Sequence, residues 1–156
     1  MHYIIPENRQ QFVLMQSLDD LVSANHYVRL IDTLVDAIVS ANPEQFAYKG
    51  QSNSGRRAYS PITMLKLLLY GYLNSIKTSR TLERECYRNI EVIWLLGNLK
   101  PDHKSIADYR KDNAAALKYV TKKFRHFLKD NDALVNTVNN LSIKLFGRHN
   151  TFPLNI

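Results

Sequence analysis

The residues best suited to chemistry in this sequence are cationic, and their spacing favours binding a polyanion over catalysis. Arg80, Arg84 and Arg88 recur every four residues, which stacks them along one face of a helix, and Lys77 lies just ahead of them. Guanidinium groups on successive turns suit phosphates and guanine edges, because each presents a rigid fork of N–H donors. The plainer reading of the row is a solvated face paired with Glu83 and Glu85. A second cluster, His103, Lys104, Arg110 and Lys111 with Tyr109, surrounds a helix start expected at Ser105, where Asp108 stands in capping-box position. Helix starts of that kind are where helix-turn-helix proteins meet bases and backbone. A third pair, Arg56 and Arg57, ends the small polar loop Lys49-Gly-Gln-Ser-Asn-Ser-Gly-Arg-Arg57. Mobility alone accounts for such a loop; its functional reading is a basic arm ordered by a phosphate backbone.

Other chemistries find little support. Cys86 has no Cys or His at ligand spacing and reads as a buried packing thiol. The histidines His2, His26, His103, His126 and His149 show no metal-site spacing either. Asp102, Asp108 and Asp112 are the only local carboxylate group, and capping and solvated roles account for them. Metal-dependent strand transfer needs carboxylates that hold divalent ions about 4 Å apart. The expectation is a chain that binds rather than catalyses, with no cofactor of its own.

The charge is unevenly placed. The net +7 divides into two basic against six acidic residues over 1–48, net −4, and nineteen against eight over 49–156, net +11. A strongly basic remainder suits a polyanion such as nucleic acid, although a generally basic surface would look the same. With a single cysteine no internal disulfide is possible, which points to a reducing compartment. The N-terminal Met-His-Tyr-Ile-Ile-Pro-Glu-Asn-Arg has no basic region leading into an apolar segment, so the cytoplasm is the expected location.

The elements that position these groups read as helices. Gly and Pro are sparse, and 156 residues suffice for one domain with a core. Ser60 and Pro61 supply a cap and a first helical residue for a central helix over 61–76, apolar nearly all round. Its polar residues Thr63, Lys66, Tyr70, Asn74 and Lys77 form one narrow stripe, expected to face water while other helices cover the rest. The apolar run is about 12 residues, short of the roughly 20 a bilayer needs, so no membrane is expected. Val28 to Val39 has helical periodicity behind a cap at Asn25, with Arg29 and Asp32 spaced to pair on its outer side. Thr78-Ser79 opens a helix to about Asn89 with Leu82 and Cys86 inward, and Gly97-Asn98 closes a short apolar segment from Ile90 to Leu96. From Asn113 to Lys129 the inward residues are Leu117, Val120, Phe124, Phe127 and Leu128, and Lys118, Lys122, Arg125 and Lys129 form a basic outer stripe. A further helix is expected over Asn131 to Phe146, ended by Gly147. The expected fold is all-α, a compact multi-helix domain over 1–130 with a helix-turn-helix-like DNA-binding region, followed by a C-terminal helix and tail over 131–156.

The order of blocks is itself informative. Ser17-Leu-Asp-Asp-Leu-Val22 is followed by His26-Tyr-Val-Arg-Leu-Ile-Asp32, then by Gly55-Arg-Arg-Ala-Tyr-Ser-Pro61 and Met64-Leu-Lys-Leu-Leu-Leu-Tyr-Gly-Tyr-Leu73. Next come Ser79-Arg-Thr-Leu-Glu83, Cys86, Trp94-Leu-Leu-Gly97 and Pro101-Asp-His-Lys-Ser-Ile-Ala-Asp-Tyr-Arg110. From about Glu7 to Lys129, in register, this resembles the N-terminal domain of bacterial insertion-sequence transposases of the DDE class. The resemblance implies a helical domain that recognises the terminal inverted repeats of the element in double-stranded DNA, at the nucleoid. It also implies a following catalytic domain that uses Mg2+ and begins, after a segment like Leu145-Phe-Gly-Arg148, with a strand carrying a catalytic Asp. Here that segment leads into His149-Asn-Thr-Phe-Pro-Leu-Asn-Ile156, and the last acidic residue is Asp132, so no catalytic residue is carried over. The expectation is a transposase truncated before its catalytic domain. The alternative is a protein-interaction module that forms a homodimer, or binds and inhibits full-length transposase, with the acidic first third contacting basic surfaces.

Overall fold

The computed structural model of the chain describes residues 17–46 and 58–131. Among them six α-helices run in the order α1 (Tyr27–Ala41), α2 (Pro61–Leu73), α3 (Ser79–Arg88), α4 (Ile90–Leu95), α5 (His103–Asp112) and α6 (Ala114–Asp130). Single 3-10 turns, Leu18–Leu21 and Pro43–Phe46, precede and follow α1. The described residues contain no strand, and the all-α expectation holds. The loop 47–57 and the helix and tail expected over 132–156 lie outside the described residues.

α2 is the centre, for the reason its sequence suggested. The Ser60 hydroxyl accepts the Thr63 N–H at 3.1 Å, and Pro61 occupies the first turn, where an N–H would go unused. The consecutive residues Met64 to Gly71 are all buried, since α1, α4, α5 and α6 pack round the helix. Gly71 lets α3 in as well: a Cβ there would fall 2.9 Å from Leu82 Cδ2, closer than packed carbons approach. The remaining helices each offer one apolar stripe to this centre. Val28, Ile31, Val35 and Val39 come from α1, Leu82 and Cys86 from α3, and Val92 and Leu95 from α4. α5 supplies Ile106 and Tyr109, and α6 supplies Val120 and Phe124 with Leu117, Phe127 and Leu128 half-buried beside them.

The polar stripe of α2 departs from expectation. Lys66 is only 9% exposed and Tyr70 is buried, so the middle of the stripe faces protein. The Lys66 ammonium lies 2.6 Å from Asp32 Oδ1 and 2.8 Å from Asp36 Oδ1, both carried by α1. One turn on, the Tyr70 hydroxyl donates to Glu91 Oε2 at 2.7 Å, and the Tyr27 hydroxyl donates to the same oxygen at 2.8 Å. The Tyr27 and Tyr70 rings stack with centroids 6.3 Å apart, and His26 Nε2 lies 3.4 Å from Glu91 Oε1. The stripe is therefore a seam on which α1 and α4 dock. A sequence read without partners takes any polar line for a wet one, but carboxylates on neighbouring helices can satisfy it inside.

Three other expectations are corrected by the same kind of competition. Asp32 is drawn to Lys66, so Arg29 does not pair with it. Arg29 reaches back instead, donating to Asp19 Oδ1 at 2.8 Å and to the carbonyls of Asp19, Val22 and Ser23. Its guanidinium lies 4.7 Å from the Trp94 ring centroid, and the Trp94 indole donates to Asp19 Oδ1, which clips the first turn onto α4. Those two donors, Trp94 first, hold the Asp19 carboxyl below its ordinary value. The cap of α1 is His26, whose Nδ1 accepts the Val28 N–H, and not Asn25. α5 starts at His103 with Asp102 as its cap, accepting from the Ser105 N–H at 2.9 Å and its hydroxyl at 2.8 Å, so Ser105 is not the cap and Asp108 closes no box. A carboxylate outcompetes a hydroxyl as an acceptor for orphan helix donors.

Buried titratable groups make stability sensitive to base. Burial pushes the Cys86 thiol up to about 11 from 9.0. Burial, then the neighbouring Tyr27 and Glu91, carry Tyr70 far above its ordinary 10.0, and burial with Glu91 likewise raises Tyr27. For Lys66 burial opposes the charge, but Asp32 and Asp36 outweigh it and the ammonium lies above 10.5. Each of these groups holds its proton more tightly folded than unfolded. Its stabilisation is complete below the unfolded value and lost as pH rises through the folded one. Urea unfolding from about pH 8 to about pH 11 should show stability falling first near the ordinary thiol value and then more steeply, by about 1.4 kcal/mol per pH unit per group. Cys86→Ala should flatten the onset and Tyr70→Phe the steeper part.

The seam itself is testable by which side of it is removed. Asp32→Asn with Asp36→Asn strands a buried ammonium and should cost about 3–5 kcal/mol in urea unfolding at neutral pH. Lys66→Met leaves only partly exposed carboxylates, which water can reach, and should cost clearly less.

Candidate nucleic-acid interface

α3 and α5 bring most of the cationic candidates together. Thr78 caps α3 by accepting the Thr81 N–H, and Asp102 caps α5. The contacts between the segments run in opposite order along the chain. Arg110 Nη1 donates to the Lys77 carbonyl at 2.9 Å, His103 Nδ1 lies 2.8 Å from Glu83 Oε2, and the Lys100 ammonium is 5.0 Å from the Tyr87 ring centroid. The two helices therefore lie side by side and antiparallel, with α4 and the connector 96–102 between them in the chain. Gly97 and Asn98 take positive φ, 56° and 64°, to turn that connector back, a conformation that favours glycine and tolerates asparagine.

The candidates then divide by what their side chains already hold. Arg88 donates through Nε to Glu85 Oε1 at 2.9 Å, and Glu85 is itself buried, so this guanidinium neutralises a carboxylate inside the domain. Arg110 is half-buried, its pKa lowered by that burial, and its fork is turned to the Lys77 carbonyl. His103 is engaged with Glu83. Lys77, Arg80, Arg84, Lys104 and Lys111 are exposed, and among the described residues none of them makes an ion pair. Arg56 and Arg57 lie outside the described residues.

Sequence reasoning missed Tyr87. It is 60% exposed and lies seven residues after Arg80 and three after Arg84, spacings that continue a helix face. The outward line of α3 is thus Arg80, Arg84, Tyr87. Spacing alone held this signal, but the arginine row drew the eye to Arg88, one residue on. Lys104 and Lys111, seven apart, lie on the exposed side of α5 with Ala107 between them.

Chemically this face can bind an anion along two adjacent helices. The Cys86 thiol is fully buried, donates to the Leu82 carbonyl at 3.2 Å and is raised by that burial. Among the described residues no three His, Cys, Asp or Glu side chains converge to hold a metal ion. Asp102 accepts from the Ser105 N–H and hydroxyl as the α5 cap. No helix among the described residues is long and apolar enough to cross a membrane.

What the fold and this face define is a helical domain with a cationic surface carried by an antiparallel helix pair. The family profile described as Transposase domain (DUF772) matches residues 16–112, from the first 3-10 turn through α5, and the chain belongs to that family. No curated protein and no solved structure matches it.

The sorting of arginines predicts separate effects on stability. Arg80→Ala and Arg84→Ala should leave the urea midpoint nearly unchanged, within about 0.5 kcal/mol. Arg110→Ala removes a half-buried side chain and its hydrogen bond to the exposed Lys77 carbonyl, and should cost about 1 kcal/mol.

Proposed function

We propose that this chain is the DNA-binding part of an insertion-sequence transposase of the DDE class, recognising the terminal inverted repeats of its element in the bacterial cytoplasm, at the nucleoid. Membership of the transposase family supports a role in transposition. The observation that carries the DNA assignment is the set of exposed cations Arg80, Arg84, Lys104 and Lys111 on the adjacent helices α3 and α5, which make no ion pair among the described residues. α3 is the helix offered to the major groove, in the manner of a helix-turn-helix recognition helix, while α5 brings its lysines to the flanking phosphates. His103 and Arg110 act by holding the two helices in register, and Arg88 neutralises Glu85 within α3. Strand cleavage and joining are assigned, in this reading, to carboxylates and Mg2+ of a catalytic region and not to Asp102, Asp108 or Asp112.

The experiment is a fluorescence-anisotropy titration of a terminal-repeat duplex and a scrambled duplex at several salt concentrations. With four to six side chains on phosphates, log affinity should fall against log salt with a slope of about −4 to −5. Arg84→Ala should weaken the terminal-repeat duplex by about 1–3 kcal/mol if it reads a base, and lower the slope by about one if it meets only phosphate. The α6 stripe of Lys118, Lys122, Arg125 and Lys129 serves as control, with smaller, sequence-blind losses expected. Salt-independent binding, or equal losses from both stripes on both duplexes, would sink recognition by α3 and α5.

A further inference from the structure

Three of the four most exposed large apolar side chains among the described residues, Tyr87, Ile90 and Leu99, fall between the end of α3 and the start of α5. Tyr87 is the most exposed of them. A single exposed aromatic is ordinary on a protein surface. This one differs in its setting, because it ends the Arg80–Arg84 line and has the Lys100 ammonium 5.0 Å from its ring centroid. An apolar ring framed by unpaired cations suits a partner that is itself apolar at one point and anionic around it.

We infer that Tyr87 is a specificity-determining contact for thymine, its ring packing against the 5-methyl group in the major groove while Arg80 and Arg84 hold phosphates. The inference rests on the DNA reading above. Helix α3, ten residues long and like any α-helix about 10–12 Å across with its side chains, fits a groove about 12 Å wide. In a stacked duplex a side chain on such a helix meets base edges and not base faces. The thymine methyl is the one apolar group those edges present. Charge complementarity selects this occupant over an apolar protein surface, which would leave Arg80, Arg84 and Lys100 desolvated and unpaired.

The test uses the full chain, its Tyr87→Phe and Tyr87→Ala variants, and three probes. These are an alternating adenine–thymine duplex, the same duplex with deoxyuridine at every thymine, and an alternating guanine–cytosine duplex, all at one salt concentration. Deoxyuridine lacks only the methyl group. The unaltered chain should prefer thymine to deoxyuridine by about fourfold per methyl contacted. Tyr87→Phe should keep that preference. Tyr87→Ala should bind the two duplexes equally, with an unchanged salt dependence and an unchanged urea midpoint. Binding of both duplexes without discrimination by the unaltered chain, or discrimination retained by Tyr87→Ala, overturns the inference and leaves the DNA reading standing. Failure to bind any duplex overturns both. Loss of self-association in Tyr87→Ala by sedimentation, with the thymine preference intact, makes this a protein face and overturns the thymine contact.

Discussion

The arrangement of the helices depends on a polar seam held inside the core. Lys66 and Tyr70, one turn apart on α2, are matched by Asp32 and Asp36 from α1 and by Glu91 from α4. Apolar packing alone would let α1 rotate or slide on α2, because aliphatic side chains accept many registers of similar energy. A buried ammonium and a shared carboxylate accept only one, since misalignment leaves a charge unpaired in a low dielectric. Tyr27 adds the same constraint from the start of α1, where its hydroxyl meets Glu91 and its ring stacks on Tyr70.

This seam also shapes the electrostatics of the surface. Lys66 sets one positive charge against Asp32 and Asp36, and Arg29 with the Trp94 indole engages Asp19, so part of the acidic charge of the first third is met within the domain. On the other side Glu85 and Glu83 are met by Arg88 and His103. Arg80 and Arg84 on α3 therefore project positive charge, while Lys104 and Lys111 share α5 with the exposed carboxylates Asp108 and Asp112.

Holding α3 against α5 is the remaining requirement, and polar contacts supply it alongside Leu82 and Ile106. Arg110 ties the end of α5 to the residue before α3, and His103 ties its start to the middle of α3. Residues that the sequence grouped as one binding cluster thus do two kinds of work. Some brace the helix pair, and others stand free on it. Under the proposed DNA reading this division matters, because a groove-reading helix must be rigid to place a guanidinium within hydrogen-bonding distance of one base edge.

The sequence by itself determined most of the described helices, the centrality of α2 and the family, while α4 read only as a short apolar segment. Those features rest on local information: caps such as Ser60 and Thr78, apolar periodicity such as Val28, Ile31 and Val35, and blocks in a set order. It also placed the arginine row on one face, since i and i+4 neighbours follow from helix geometry alone. Only the tertiary structure decided which polar groups are free. Lys66 looked wet and is buried; Arg88 and Arg110 looked available and are engaged; Tyr87 looked unremarkable and stands exposed beside Lys100. Arg29 passed over its near neighbour Asp32 for Asp19, because Lys66 from another helix claimed Asp32. Spacing along a chain defines which residues share a face of their own helix. It carries no information on which charge from a distant helix arrives opposite that face, and in a low-dielectric contact the arriving charge decides the pairing.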